Sequence, residues 1–176
     1  MGGTVSFSEF EQSIVSQDLR NVAAVWNEAR NGHQLPAWND INPAKLKAQL
    51  RMIWSYAYDA ERDDFVGRLA GQTILQMSSG HFKGLWLSQI RPADKYPRSL
   101  ERARRIVKEP AMYRGVGLVY QTAENFGFGE RISLPMASRG NSAGGIFGAT
   151  EFRSHADWEN SWTVEKREIE HWFSIA

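Results

Sequence analysis

From Arg51 to Asp59 the chain alternates with a period of two: Met52, Trp54, Tyr56 and Tyr58 are bulky, and Ile53, Ser55 and Ala57 lie between them. Such alternation is the mark of a strand with two distinct faces. The charged run Glu61, Arg62, Asp63, Asp64 reads as a turn, and Phe65 to Leu69 returns as a second strand ending at Gly71. The pair is a hairpin. Three more strands are predicted much later, over Met112 to Thr122, Gly129 to Ala137 and Gly145 to Phe152. The turns between them carry Asn125, Gly127, Gly140, Asn141 and Gly144, the residue types that meander hairpins use. Pro135 has no N–H to give to a ladder, so its place is predicted at an edge or a bulge.

Between hairpin and meander the pattern turns helical. Gln72 to Met77 makes a short helix stopped near Gly80, and Lys83 to Ile90 is an irregular apolar stretch. The strongest helix runs from Asp94 or Pro97 to Lys108, with Leu100, Ala103, Ile106 and Val107 on one face and Pro110 as its stop. Two hairpin strands, a helical crossover and a three-strand meander predict an α+β fold, a five-stranded antiparallel sheet with helices on one face.

Both flanks carry apolar residues of their own. From the N-cap candidate Ser16, Leu19, Val22, Ala23, Val25, Trp26 and Ala29 recur at helical spacing as far as Gly32, with Val15 placed to staple the helix start. Phe7 and Phe10 either extend this helix or form a separate turn. Its stripe needs a cover, on its own domain or on a second copy. Apolar Ile53 beside the bulky set suggests that both sheet faces are covered, with this helix as the obvious cover. A further helix start follows at Asn42-Pro43, with Leu46 and Leu50 one turn apart. The tail after Ser154 holds Trp158, Trp162, Val164, Ile169, Trp172 and Phe173, and its last part is predicted to be helical. The division is a helical extension over 1–32, a domain over 33–153 and a packed tail over 154–176.

Composition narrows the class of protein. In 176 residues, 42% are apolar and 23% charged, which excludes disorder. Cysteine is absent, so disulfides, thiol catalysis and cysteine-based zinc sites are excluded. The N-terminus lacks a secretory pattern and no apolar run is long enough to span a membrane, so a cytoplasmic protein without membrane partners is expected. The net charge of +1 gives no global pull towards nucleic acid.

Chemical motifs are few. His33, His81, His155 and His171 show no i, i+4 pair, and Glu168-Ile169-Glu170-His171 is a single Glu-x-x-His where a di-iron bundle needs two. Gly115-Val116-Gly117 lacks the third glycine of a dinucleotide fingerprint and sits within a strand pattern. P-loop and nucleophile-elbow patterns are missing. No metal, cofactor or catalytic residue is assigned, and an enzyme is not expected. The basic helix carries Arg98, Arg102, Arg104, Arg105 and Lys108 against Glu101 and Glu109. It could meet nucleic acid, an acidic protein, or the acidic tail around Glu165, Glu168 and Glu170. A plain solvated helix face is favoured over nucleic-acid binding, and the absence of aromatics among the arginines lowers single-strand recognition further.

The ordered elements are also those of a PAS domain, and four motifs strengthen the likeness. Leu35-Pro36-Ala37 with Pro43, Leu46 and Leu50, then Phe65-Val66-Gly67-Arg68-Leu69-Ala70-Gly71, then Gly80-His81-Phe82-Lys83-Gly84, then Leu134-Pro135-Met136 with Ile146-Phe147-Gly148, resemble in order those of a bacterial PAS-like family, PAS_5. The family usually has arginine where Trp38 stands, aspartate where Asn42 stands, and an acidic residue in the turn where Phe82 stands. The resemblance implies a PAS-like sheet whose helices enclose a small-molecule pocket. Its candidate lining is Trp54, Phe65, Arg68, Met77, His81, Trp86, Tyr120 and Arg131, with Arg68, His81, Tyr120 and Arg131 as polar anchors. It further implies a stand-alone sensory module that hands its signal to a separate protein partner, with a homodimer expected through the N-terminal helix. The alternative is an interaction or dimerisation module whose pocket is filled by its own side chains.

Overall fold

Trp54 and Tyr56 project from one face of β1 (Ile53–Asp59) into one apolar cluster, and Ile53 projects from the other face into a second. The computed structural model describes residues 7–121, 126–140, 144–153 and 167–175. β1 pairs with β2 (Asp64–Ala70) as the expected hairpin and with β5 (Gly145–Arg153) on its other side. β3 (Ala111–Gln121) and β4 (Phe126–Met136) complete the meander, and β6 (Glu168–Ser174) adds to β3. The sheet order is β2-β1-β5-β4-β3-β6, antiparallel throughout.

β6 corrects two expectations. The end of the tail is a strand rather than a helix, and the sheet has six strands rather than five. Ile169, Trp172 and Phe173 fit a helical spacing as well as a strand, and a short apolar run does not separate the two. The open edge of β3 decides it, because its backbone groups find partners from Ala111↔Ser174 to Gly117↔Glu168. Trp158, Trp162, Val164 and Glu165 of the tail, and Thr122, Asn125 and Asn141 of the meander, lie outside the described residues.

Each face has its own helices. α1 (Phe7–Ser13) and α2 (Gln17–Ala29) lie on the face of Ile53, Met112, Ile132, Leu134, Phe147 and Ala149. Ser16 caps α2 by accepting from the Leu19 N–H at 3.2 Å, and Leu19, Val22, Ala23 and Trp26 are fully buried. The α2 stripe is thus covered in cis, and Phe7 and Phe10 belong to a separate helix. Val15 is 48% exposed and makes no staple. Asn42 caps a short 3-10 turn, Pro43–Leu46, instead of a long helix.

α3 (Gln72–Met77), α4 (Leu87–Ile90) and α5 (Tyr96–Lys108) form the crossover; Ala103 and Ile106 of α5 are buried with Trp54, Tyr56 and Tyr113 on the opposite face. The helices therefore cover both faces. Pro135 lies in an inner strand, but the β3 ladder ends at Tyr113↔Ser133, short of it. On its other side it is in register with Ile146 of β5, and its carbonyl accepts from the Trp26 indole at 3.0 Å.

Candidate functional site

Alternation along the central strands sends Tyr113 of β3, Arg131 of β4 and Thr150 of β5 towards the crossover helices, and it sends Glu168 of β6 to the same place. Glu168 accepts from the Tyr113 hydroxyl at 2.6 Å and from Arg131 Nε at 2.5 Å, and Arg131 Nη2 closes a two-pronged pair on its other oxygen. Arg102 of α5 approaches that oxygen at 3.3 Å and donates to Glu170 at 3.1 Å. Gly115 makes room for this arrangement, since a Cβ there would lie 1.9 Å from Glu168 Oε1. Gly117 is crowded in the same way, with the Arg167 carbonyl 2.4 Å from where its Cβ would stand, so both glycines allow β6 to approach β3.

Burial pulls the Glu168 pKa upward, but the charges of Arg131 and Arg102 and the hydrogen bonds from Arg131 and Tyr113 outweigh it and hold the carboxyl below its ordinary value. Burial, then the Glu168 charge, raises the Tyr113 phenol. Burial is the largest single influence on Arg131 and lowers its pKa, but Glu168 and Tyr113 together outweigh it, so it stays a cation.

Arg91, directly after α4, completes the cluster. Its Nε is buried and has no hydrogen-bond partner. Burial holds its pKa below the ordinary value; Tyr56 and Glu168 act against this, and Arg131 and Arg102 act with it.

Three adjoining spaces meet at Arg91 and Arg131. Two are small cavities of about 40 and 30 Å³, walled by Trp54 and Tyr56. The third is a cleft of about 330 Å³ open to the surface beside the start of α5. Its charged lining is Arg91, Lys95, Arg98, Arg102, Arg131 and Arg167, with Asp94 and Glu168.

Of the candidate pocket residues, Trp54, Phe65, Met77, Tyr120 and Arg131 line these spaces. Trp54 also donates to Thr150 Oγ1 at 2.9 Å. Arg68, His81 and Trp86 are elsewhere. The Arg68 guanidinium lies 4.3 Å from the centroid of the Trp38 ring, Trp86 lies beneath Arg62 at 4.5 Å, and His81 is exposed in its turn. The inward residue of that turn is Phe82, which packs on Tyr56 at 4.9 Å between centroids. Arg91, Arg102 and Glu168 were missing from the candidates. Arg91 sits in Ile90-Arg91-Pro92 with no motif to flag it, whereas the meeting of the basic helix with the acidic tail was one of the arrangements the sequence allowed.

The rest of the basic helix is also partnered within the chain: Arg104 and Lys108 reach Asp63 at 3.0 and 2.8 Å, and Arg105 stacks on Trp172 at 4.0 Å. Among the described residues no group of three His, Asp or Glu side chains is arranged to hold a metal, and no helix is long and apolar enough to cross a membrane.

Among known proteins, neither the curated sequences nor the solved structures contain a significant match to this chain. The PAS_5 family model, described as a PAS domain, matches residues 14–150. That span takes in α2, the hairpin, the crossover and nearly all of the meander, and the chain belongs to the PAS_5 family of PAS domains, a class of sensory and signalling modules.

Proposed function

We propose that this PAS domain is a sensory module that binds a small cytoplasmic ligand in the arginine-lined cleft and passes its occupancy to a separate protein partner. One observation carries the reading. Arg131 and Arg102 line the cleft and also hold Glu168, the first residue of the edge strand β6. A ligand that touches either arginine changes what holds β6, and a partner in contact with β6 or with the helices behind the sheet reads that change. A ligand shifts such an equilibrium only by its differential affinity for the two arrangements.

The competing reading is an interaction module without a ligand, favoured by how small the two cavities beside Trp54 and Tyr56 are. A homodimer through the N-terminal helix would use the outward face of α2, since its apolar stripe is buried on its own sheet.

The test is the mass of the full chain under native and then denaturing conditions, paired with hydrogen exchange across β6. A bound mass that is lost on denaturation, and whose removal alters exchange in β6, is expected. A bare chain whose β6 exchange no metabolite fraction alters would favour the interaction module.

A further inference from the structure

We propose that the ligand is a small anion, a metabolite whose carboxylate or phosphoryl group docks on Arg91 and Arg131. The proposal rests on the sensory reading above and specifies the chemistry of its ligand.

Charge is the first argument. Among the described residues six cationic side chains line the cleft against two carboxylates; Arg98 and Arg102 also meet Glu170, and Arg167 is engaged elsewhere, so the charge that counts here is that of Arg91. Glu168 is already divided among Arg131, Arg102 and Tyr113, and Asp94 sits 3.6 Å from Lys95 on the rim. Among the described residues no carboxylate forms an ion pair with Arg91, which meets the Tyr56 hydroxyl. Its Nε is buried without an acceptor, an arrangement that disfavours the protein alone and that an incoming oxyanion relieves.

Geometry is the second. A guanidinium presents a planar fork that matches a carboxylate or a phosphoryl group with two parallel bonds; Arg131 has spent its fork on Glu168, so Arg91 supplies the fork and Arg131 adds its charge beside it. Arg91 and Arg131 line all three spaces, so an oxyanion lodged between them sits at the inner end of the cleft. The cleft volume of about 330 Å³ lies within the range of small-molecule sites. The two cavities beyond it measure only about 40 and 30 Å³, so the body of the ligand stays in the cleft against Leu118, Val119 and Tyr120.

Calorimetric titration of the full chain with citrate and with inorganic pyrophosphate tests this, at ionic strength held constant with sodium chloride and with glycerol as the neutral control. Saturable binding of at least one anion is expected, and the stronger arm separates carboxylate from phosphoryl recognition. Arg91→Met is expected to weaken it at least tenfold without lowering the melting temperature, because the substitution removes a poorly partnered cation. Lys47→Met, away from the cleft, should bind as the parent does. Should Arg91→Met fold poorly, Arg91→Lys, which keeps charge and loses the fork, should still weaken binding severalfold. Absence of saturable binding by both anions, or undiminished binding by the Arg91 variants, overturns the proposal. A neutral or cationic compound found bound in the native mass would overturn the anion alone and leave the sensory reading standing.

Discussion

Glu130 and Arg131, consecutive on β4, send opposite charges to opposite faces of the sheet, and each charge holds one end of the chain. The Glu130 carboxylate accepts from the Val15 and Ser16 N–H groups at 3.0 and 2.8 Å and pairs with Arg114 at 2.6 Å, fixing the junction of α1 and α2. Arg131 holds Glu168 and with it β6. A rotation or shift of β4 at this point is felt by both flanks, and Arg131 also lines the cleft.

Glu130→Gln should therefore loosen the N-terminal helices. Glu130 and Arg114 side chains are 3% and 8% exposed, and leaving a buried arginine without its partner costs about 3 kcal/mol. Urea denaturation gives the loss, and hydrogen exchange should rise first around residues 13–16. Unchanged protection there would show that apolar packing alone seats α2.

Glu168→Gln should destabilise in a pH-dependent way. The Glu168 carboxyl is held below 4.5 in the folded state, so the unfolded chain takes up its proton first as the pH drops. The stability it contributes is present above about pH 4.5 and is lost as the pH falls through the folded value. The variant should be about 3 kcal/mol less stable at pH 7, with the gap closing in acid. A gap that stays constant from pH 7 to pH 3 would mean that Glu168 is not ionised in its cluster.

Removal of residues 1–32 should expose Met112, Ile132, Leu134 and Phe147, which α1 and α2 cover. The shortened chain is expected to aggregate or self-associate in sedimentation experiments. A soluble monomer with the parent's melting temperature would count against the covering role.

Gly148→Ala should destabilise by about 1–3 kcal/mol through overpacking. Gly148 faces Trp54 in the β1–β5 register, and an added Cβ would come within 2.3 Å of the indole. Since Trp54 walls both cavities, near-ultraviolet circular dichroism should change as well; a neutral substitution would show that the ring has room to move.

His81→Ala should be nearly silent, within about 0.5 kcal/mol, because His81 is exposed and lies outside the cavity lining. Loss of ligand binding in this variant would place the site on the turn and away from the cleft.

Much of this architecture is legible in the residues. The period of two in Met52 to Tyr58 places the hairpin, the stop at Pro110 closes the crossover, and Ser16 caps α2 as its side chain predicts. Local patterns of this kind report on a segment's own backbone. The cluster at Glu168 is different, because its members lie far apart in the chain: Arg102, Arg131 and Glu168 belong to three separate elements and Arg91 to the connection after α4, and no spacing links them. Arg68 and His81 were drawn in by motif position, and a motif does not say which way a side chain faces.

The sequence by itself determined the five strands of hairpin and meander, the helical crossover and the need for a cover on both faces. Those follow from periodicity, capping and apolar content, which act over a few residues, while the likeness to the PAS_5 family rests on the ordered motifs. Only the tertiary structure decided that the tail pairs as β6 with the open edge of β3, that Glu168 neutralises Arg131, and that Arg91 is left with a buried, unpartnered Nε. Strand pairing and charge pairing depend on distances between remote segments, and those distances exist only once the sheet has formed.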